Sequence, residues 1–204
     1  MNKDLNKLSK EIFEWRKSQG YHSMKHSLEH MTLKHSLEHM MLKHSLEHMM
    51  CVVFEDLIEA VRVNRINSSQ ADIVSFYELL ANSPESQKDS SFVEYYHQLI
   101  EFTVPDCMAN AIIRILDAAA SLGISLNSID KESSFSYHAY KSEFSKRHFF
   151  SENIYRVIEM YYTGGRTTGN KLENMILHID TLCEVMSIDV WQYVDLRLKY
   201  NKLL

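Results

Sequence analysis

Three carboxylates stand close together in VVFEDLIEAVRVNR, residues 52–65. In a helix Glu55 and Glu59 are four apart and Asp56 and Glu59 three apart, so they share one side while Val53, Leu57 and Val61 serve the other. Like charges at this spacing repel, and a hard divalent cation that takes oxygen ligands relieves the repulsion. The same spacing suits a solvated acidic face, and the residues alone leave both readings open. A second chemically able set lies just upstream. KHSLEHMTL at 25–33 recurs as KHSLEHMML at 34–42 and KHSLEHMMC at 43–51. This places His26 with His30, His35 with His39 and His44 with His48 at i,i+4, and each H-S-L-E-H matches the H-x-x-E-H pattern of some zinc proteases. Triplication of one peptide accounts for all three matches, and no third ligand accompanies them. Adventitious metal binding is the favoured reading there. Cys51, Cys107 and Cys183 show no metal-ligand spacing.

The elements that must position these groups are helices. With five glycines and two prolines in 204 residues, tight turns are few. Residues 2–19 carry Leu5, Leu8, Ile12 and Trp15 at helical spacing before Gly20. Trp15 suits the core, or a stacked base. Within the repeats, nine residues turn a helix through about 900°, so Leu28, Leu37 and Leu46 fall on alternately opposite sides. Two copies make about five whole turns and about 27 Å, so their insertion returns the acidic stretch to its original phase. The expected result is a long second helix with exposed Leu and Met.

Further along, Gln70–Asn82 reads as a short helix, 85–91 as a loop, and Phe92–Phe102 as an aromatic-striped helix. Asp106–Leu122 is the strongest core helix, with Met108, Ala111, Ile112, Ile115, Ala119 and Leu122 inward and Gly123 as its stop. Asn110, Arg114 and Asp117 line one of its sides, either as a hydrogen-bonded surface row or as part of a site. Ser125–Lys131 is expected to be a short helix and Ser133–Phe150 mostly irregular. Helices follow from Ser151 to Tyr162, at 171–186 and at 189–203, the last capped by Asp189. The loop TGGRTTGNK at 163–171 lacks the ending and the preceding strand of a nucleotide P-loop. LENMILHIDTLCEVMSID shares an apolar pattern with DCMANAIIRILDAAASLGIS, a hint of two similar hairpins packed together.

The length suits one domain, 1–204, with residues 25–51 as its repeat insertion. A net charge of -5 without a basic stripe argues against a nucleic acid polymer as partner. No apolar run nears the roughly 20 residues of a membrane span. The odd cysteine count and the lack of a leader-like segment lead to the expectation of a reducing, cytoplasmic setting.

The order Trp15 and Gly20, then EDLIEAV, then MANAIIRILDAAASLGI, with VDLRLKYN near the end, resembles the all-α MazG-like nucleoside triphosphate pyrophosphohydrolases. The resemblance covers roughly residues 5–130, with a second patch at 189–201. It implies an all-α MazG-like helical bundle, here with one unusually long helix carrying the nonapeptide repeats, and a homo-oligomer, a dimer above all. It further implies magnesium, or manganese, on E-E-x-x-E and E-x-x-D motifs, and release of a nucleoside monophosphate and pyrophosphate from a nucleoside triphosphate. Carried across, the first motif falls on Glu55, Asp56 and Glu59. The second falls on Cys107 and Asn110, where the family has Glu and Asp.

On that reading the metal ligands are Glu55, Asp56, Glu59 and Asn110, with Glu55 or Asp56 orienting the attacking water. Arg114 and Lys199 would contact phosphate, Trp15 and Tyr200 would hold the base, and Asn201 belongs to the closing K-x-x-Y-N segment. The alternative is a catalytically degenerate relative that binds nucleotides or protein partners. A thiol at Cys107 is a poor magnesium ligand, and an amide at Asn110 removes one charge.

Overall fold

A computed structural model of the chain describes residues 4–20, 34–66, 71–127, 131, 135–146, 149–163 and 167–204, with backbone alone for 34–45 and 135–136. Among the described residues the regular structure is nine α-helices and one 3-10 turn, with no strand. α1 (Leu5–Ser18) opens on Asp4, whose carboxylate accepts from the Lys7 N–H at 3.0 Å, and it buries Leu5, Ser9 and Ile12. α2 (Lys34–Arg65) runs unbroken from the repeats through the acidic stretch. Its buried side is Met50, Val53, Leu57, Ala60 and Val63. Residues 25–33 and the side chains of 34–45 lie outside the described part, and with them the exposed Leu and Met side chains expected there and every histidine of the three pairs except His48. Where side chains are described, Leu46 packs against the core and His48 is exposed.

α3 (Ile73–Ala81) is capped by Asp72 and is followed by the 3-10 turn Glu85–Gln87 and α4 (Lys88–Leu99). The loop expected at 85–91 is therefore mostly helical: polar Lys88–Ser90 form the solvated first turn of a helix whose apolar stripe begins only at Phe92.

α5 (Val104–Ser121) is the central element. Thr103 caps it and Pro105 sits in its first turn, where the missing N–H costs nothing, so the helix starts two residues before the sequence pattern does. It packs against α1, α2, α8 and α9 and is buried nearly throughout. Residues 124–127 are not helical, because Gly123 at φ +66° ends α5 and turns the chain away; the rest of the helix expected at 125–131 lies largely outside the described residues.

Ser133–Phe150, expected irregular, contains α6 (Phe135–Lys146). Its buried residues Tyr137 and Phe144, with Tyr140 half-buried between them, do lie on one face, but interleaved Tyr, His and Lys hide the period. α7 (Phe150–Thr163), α8 (Thr168–Val185) and α9 (Val190–Leu203) complete the chain, and Asp189 caps α9 as expected. α6 and α7 pack on α8, and α9 returns to α5 and α4. No described helix is long and apolar enough to cross a membrane.

Candidate functional site

The acidic side of α2 faces the polar side of α5. Asp56 is the residue that reaches across. Its Oδ1 accepts from Asn110 Nδ2 at 2.9 Å, and its Oδ2 lies 2.6 Å from Arg114 Nε in an ion pair. Burial pushes the Asp56 carboxyl above the ordinary carboxylate range, and Arg114, Asn110 and the more distant Arg197 pull it part of the way back. Glu59, three residues on, pairs instead along its own helix with exposed Arg62 at 2.6 Å. Glu55 is exposed. The three carboxylates share one side of α2, yet each has a different surrounding.

α5 answers with a polar row, Asp106, Asn110, Arg114 and Asp117, stepping four, four and three residues along one side of an otherwise apolar helix. Its members reach the surrounding helices, two of them the same one. Asp106, at the α4 end, accepts from Arg197 Nη1 of α9 at 3.0 and 3.3 Å, from the Tyr96 hydroxyl of α4, and from the Phe102 N–H at 3.1 Å. Asn110 and Arg114 hold Asp56 of α2. Asp117 pairs with Arg16 of α1 at 2.9 Å. The row is an ion-pair ladder that ties α1, α2, α4 and α9 to the central helix. Neither Asp106 nor Arg197 stands out in the sequence, because their pairing spans 91 residues; the only local sign is Thr103, which caps the helix three residues before Asp106.

Cys107, where the resemblance would place the glutamate of the second motif, is buried, and its thiol is pushed up to about 12, first by burial and then by Asp106, Glu59 and Asp56. It stays a protonated thiol, neither an anion nor a hard ligand.

The residues expected to hold substrate are dispersed. Tyr200 is buried, stacked on Tyr96 at 4.4 Å between centroids, with its hydroxyl donating to Glu101 at 3.2 Å. Lys199 Nζ lies 4.3 Å from the centre of the Phe92 ring, and Asn201 is half-buried in the last turn of α9. Trp15 is half-buried on α1, beside the Arg16 that grips Asp117. Asp106, near Tyr200, and Asp117, near Trp15, are separated by about 16 Å of helix. The two aromatics therefore belong to opposite ends of α5, with Arg114 between them.

Among the described residues no group of three or more His, Cys, Asp or Glu is disposed to hold a metal ion. The donor set does not fit magnesium for a specific reason: a guanidinium that is always charged stands against Asp56 where a cation would stand, with one carboxylate oxygen bonded to Asn110 and the other held in the ion pair without a hydrogen bond of its own. Comparison with protein-family models, with curated proteins and with solved structures gives no match. What the described residues define is an all-α protein built on one buried helix, with a partly charged seam between α2 and α5.

Proposed function

We propose that the chain is a catalytically degenerate MazG-like protein, one that binds a nucleotide without hydrolysing it. The observation that carries this reading is the 2.6 Å contact between Arg114 Nε and Asp56 Oδ2. In the resemblance drawn from EDLIEAV and MANAIIRILDAAASLGI, Asp56 is one of the four metal ligands. Here its charge is balanced by a side chain, and the two positions that would complete a magnesium shell are a protonated thiol and an amide turned towards Asp56. A site that neutralises its own carboxylate has no need of a metal, and it cannot lower the pKa of a metal-bound water.

The test measures pyrophosphate release from a panel of ribo- and deoxyribonucleoside triphosphates with magnesium or manganese, alongside calorimetric titration of the same nucleotides. Binding without release is the expected result for the natural chain. Turnover that disappears in Glu59→Ala would overturn the proposal and establish a pyrophosphohydrolase. Silence in both assays would also overturn nucleotide binding and leave a protein partner as the ligand. Replacing Cys107→Glu, Asn110→Asp and Arg114→Ala together removes the guanidinium and restores the acidic shell, so magnesium should raise the melting temperature of this variant and leave that of the natural chain unchanged.

A further inference from the structure

The helices α1, α2 and α5 have counterparts in α6, α7 and α8, in the same chain order and with the same packing. The match is closest between α5 and α8, both eighteen residues long. One constant offset carries the cap Thr103 onto the cap Thr167, and each threonine hydroxyl accepts from the N–H three residues on. The same offset carries Gly123 at φ +66° onto Ser187 at φ +61°. It also carries the closing bond from the Ile124 N–H to the Ala119 carbonyl, 2.8 Å, onto that from Ile188 to Cys183, 2.8 Å. Two helices that begin with the same cap and end in the same left-handed turn at the same length are one structural element used twice.

A second offset relates α2 to α7. Leu57 and Ala60 fall on Ile154 and Val157, all buried, while exposed Ile58 falls on exposed Tyr155 and exposed Glu55 on exposed Glu152. In α1 the sequence Leu5, Leu8, Ile12 is buried, half-buried, buried, and Tyr137, Tyr140 and Phe144 of α6 repeat the spacing and the burial. α1 and α2 pack on α5 as α6 and α7 pack on α8. α3 and α4 are extra to the first unit.

The two offsets, found independently, then converge on the polar seam. Asp56 falls on Asn153, Arg114 on His178, and Asn110 on Asn174. Among the described residues, Asn153 Oδ1 and His178 Nε2 are buried without a hydrogen-bond partner. The His178 Nδ1 lies 2.5 Å from the Asn174 carbonyl, so Nδ1 carries the proton and Nε2 is a bare acceptor. Both members of the ion pair have thus been exchanged for neutral groups together. This is what burial demands of a shared position, since losing one charge alone strands the other.

The two units also meet counterpart to counterpart, α5 on α8 and α2 on α7, with Phe54 against Tyr161 at 5.7 Å. Self-matched contact of this kind is the mark of a two-fold relation.

We infer that α6–α8 is a second copy of the α1, α2, α5 unit with neutral groups in place of the seam ion pair, and that it occupies within one chain the face on which a second chain would dock. The partner of the N-terminal unit is the chain's own C-terminal half, and the dimer implied by the family resemblance is replaced by an internal one. This inference stands whether or not a nucleotide binds.

Two measurements on the full chain test it. Light scattering across micromolar concentrations should report a single chain of 23.9 kDa, and a dimer overturns the inference. Asn153→Asp and His178→Arg, made singly and together, should rebuild the Asp56–Arg114 pair in the second unit. The double variant should therefore melt above both singles. Melting at or below either single overturns the inference. If a single variant does not fold, folding of the double is the same recovery, and failure of the double to fold overturns it.

Discussion

His178 shows most plainly how a side chain takes its character from what surrounds it. It is fully buried, faces the rings of Tyr140 and Phe144, and has Arg156 and Glu143 as its charged neighbours. Burial lowers its pKa to about 4 from an ordinary value of 6.5, with Arg156 adding to the fall and the Asn174 carbonyl and Glu143 opposing it. Because the folded value is the lower one, the unfolded chain takes up the proton first as pH falls. The stabilisation is complete above pH 6.5 and is lost on acidification through about 4. It amounts to about 3 kcal/mol for one histidine. Urea denaturation at a series of pH values should show that slope in the natural chain, and His178→Gln should remove that much of it. Glu184 adds a separate acid limb, since Lys141, Tyr137 and Lys131 hold its carboxyl down at about 2 against the effect of burial. Its contribution is lost only as pH falls from about 4.5 towards 2.

Helix ends explain which elements could be read in advance and which could not. Asp4, Thr103, Thr167 and Asp189 cap their helices through bonds that span two or three residues, so the signal is local and visible in the chain. The end of α8 is the exception. Ser187 adopts φ +61°, where its counterpart after α5 is Gly123 at φ +66°. A β-carbon in that region costs about 1–2 kcal/mol, and glycine avoids the cost at some loss of chain entropy. Ser187→Gly should therefore stabilise the protein by about 1 kcal/mol, seen as a higher urea midpoint with an unchanged slope. Gly123→Ser should cost a similar amount. A gain at Gly123 or a loss at Ser187 would mean that these turns are not what ends the two helices.

For the molecule as a whole, the ion-pair ladder on α5 is the tie between distant parts of the chain. Arg197 reaches Asp106 across 91 residues and lies 3.6 Å from Glu101. Burial pushes the Asp106 carboxyl upward, and the guanidinium opposes that first. Removing one partner of a buried pair leaves the other charge stranded, at a cost of about 3–5 kcal/mol. Arg197→Ala should lose stability on that order in a urea melt. Arg197→Met with Asp106→Leu, which removes both charges, should lose much less. Equal losses would show that the arginine acts by packing alone.

The all-helical character, the Asp189 cap and the apolar faces of α1, α2 and α5 were determined by the sequence alone, because spacing within a helix and bonds across one turn need no information from elsewhere. The polar row on α5 was visible as a row. Whether it served a metal or the other helices was not, since Asp56 lies 54 residues from Asn110 and the chain carries no mark of which charge meets which. The period of α6 was hidden by its interleaved polar residues, and the likeness between the two halves was only a pattern until the matching caps and turns stood side by side. Tertiary structure decided those points, because an ion pair or a self-matched interface exists only once separate helices have packed and water has left the space between them.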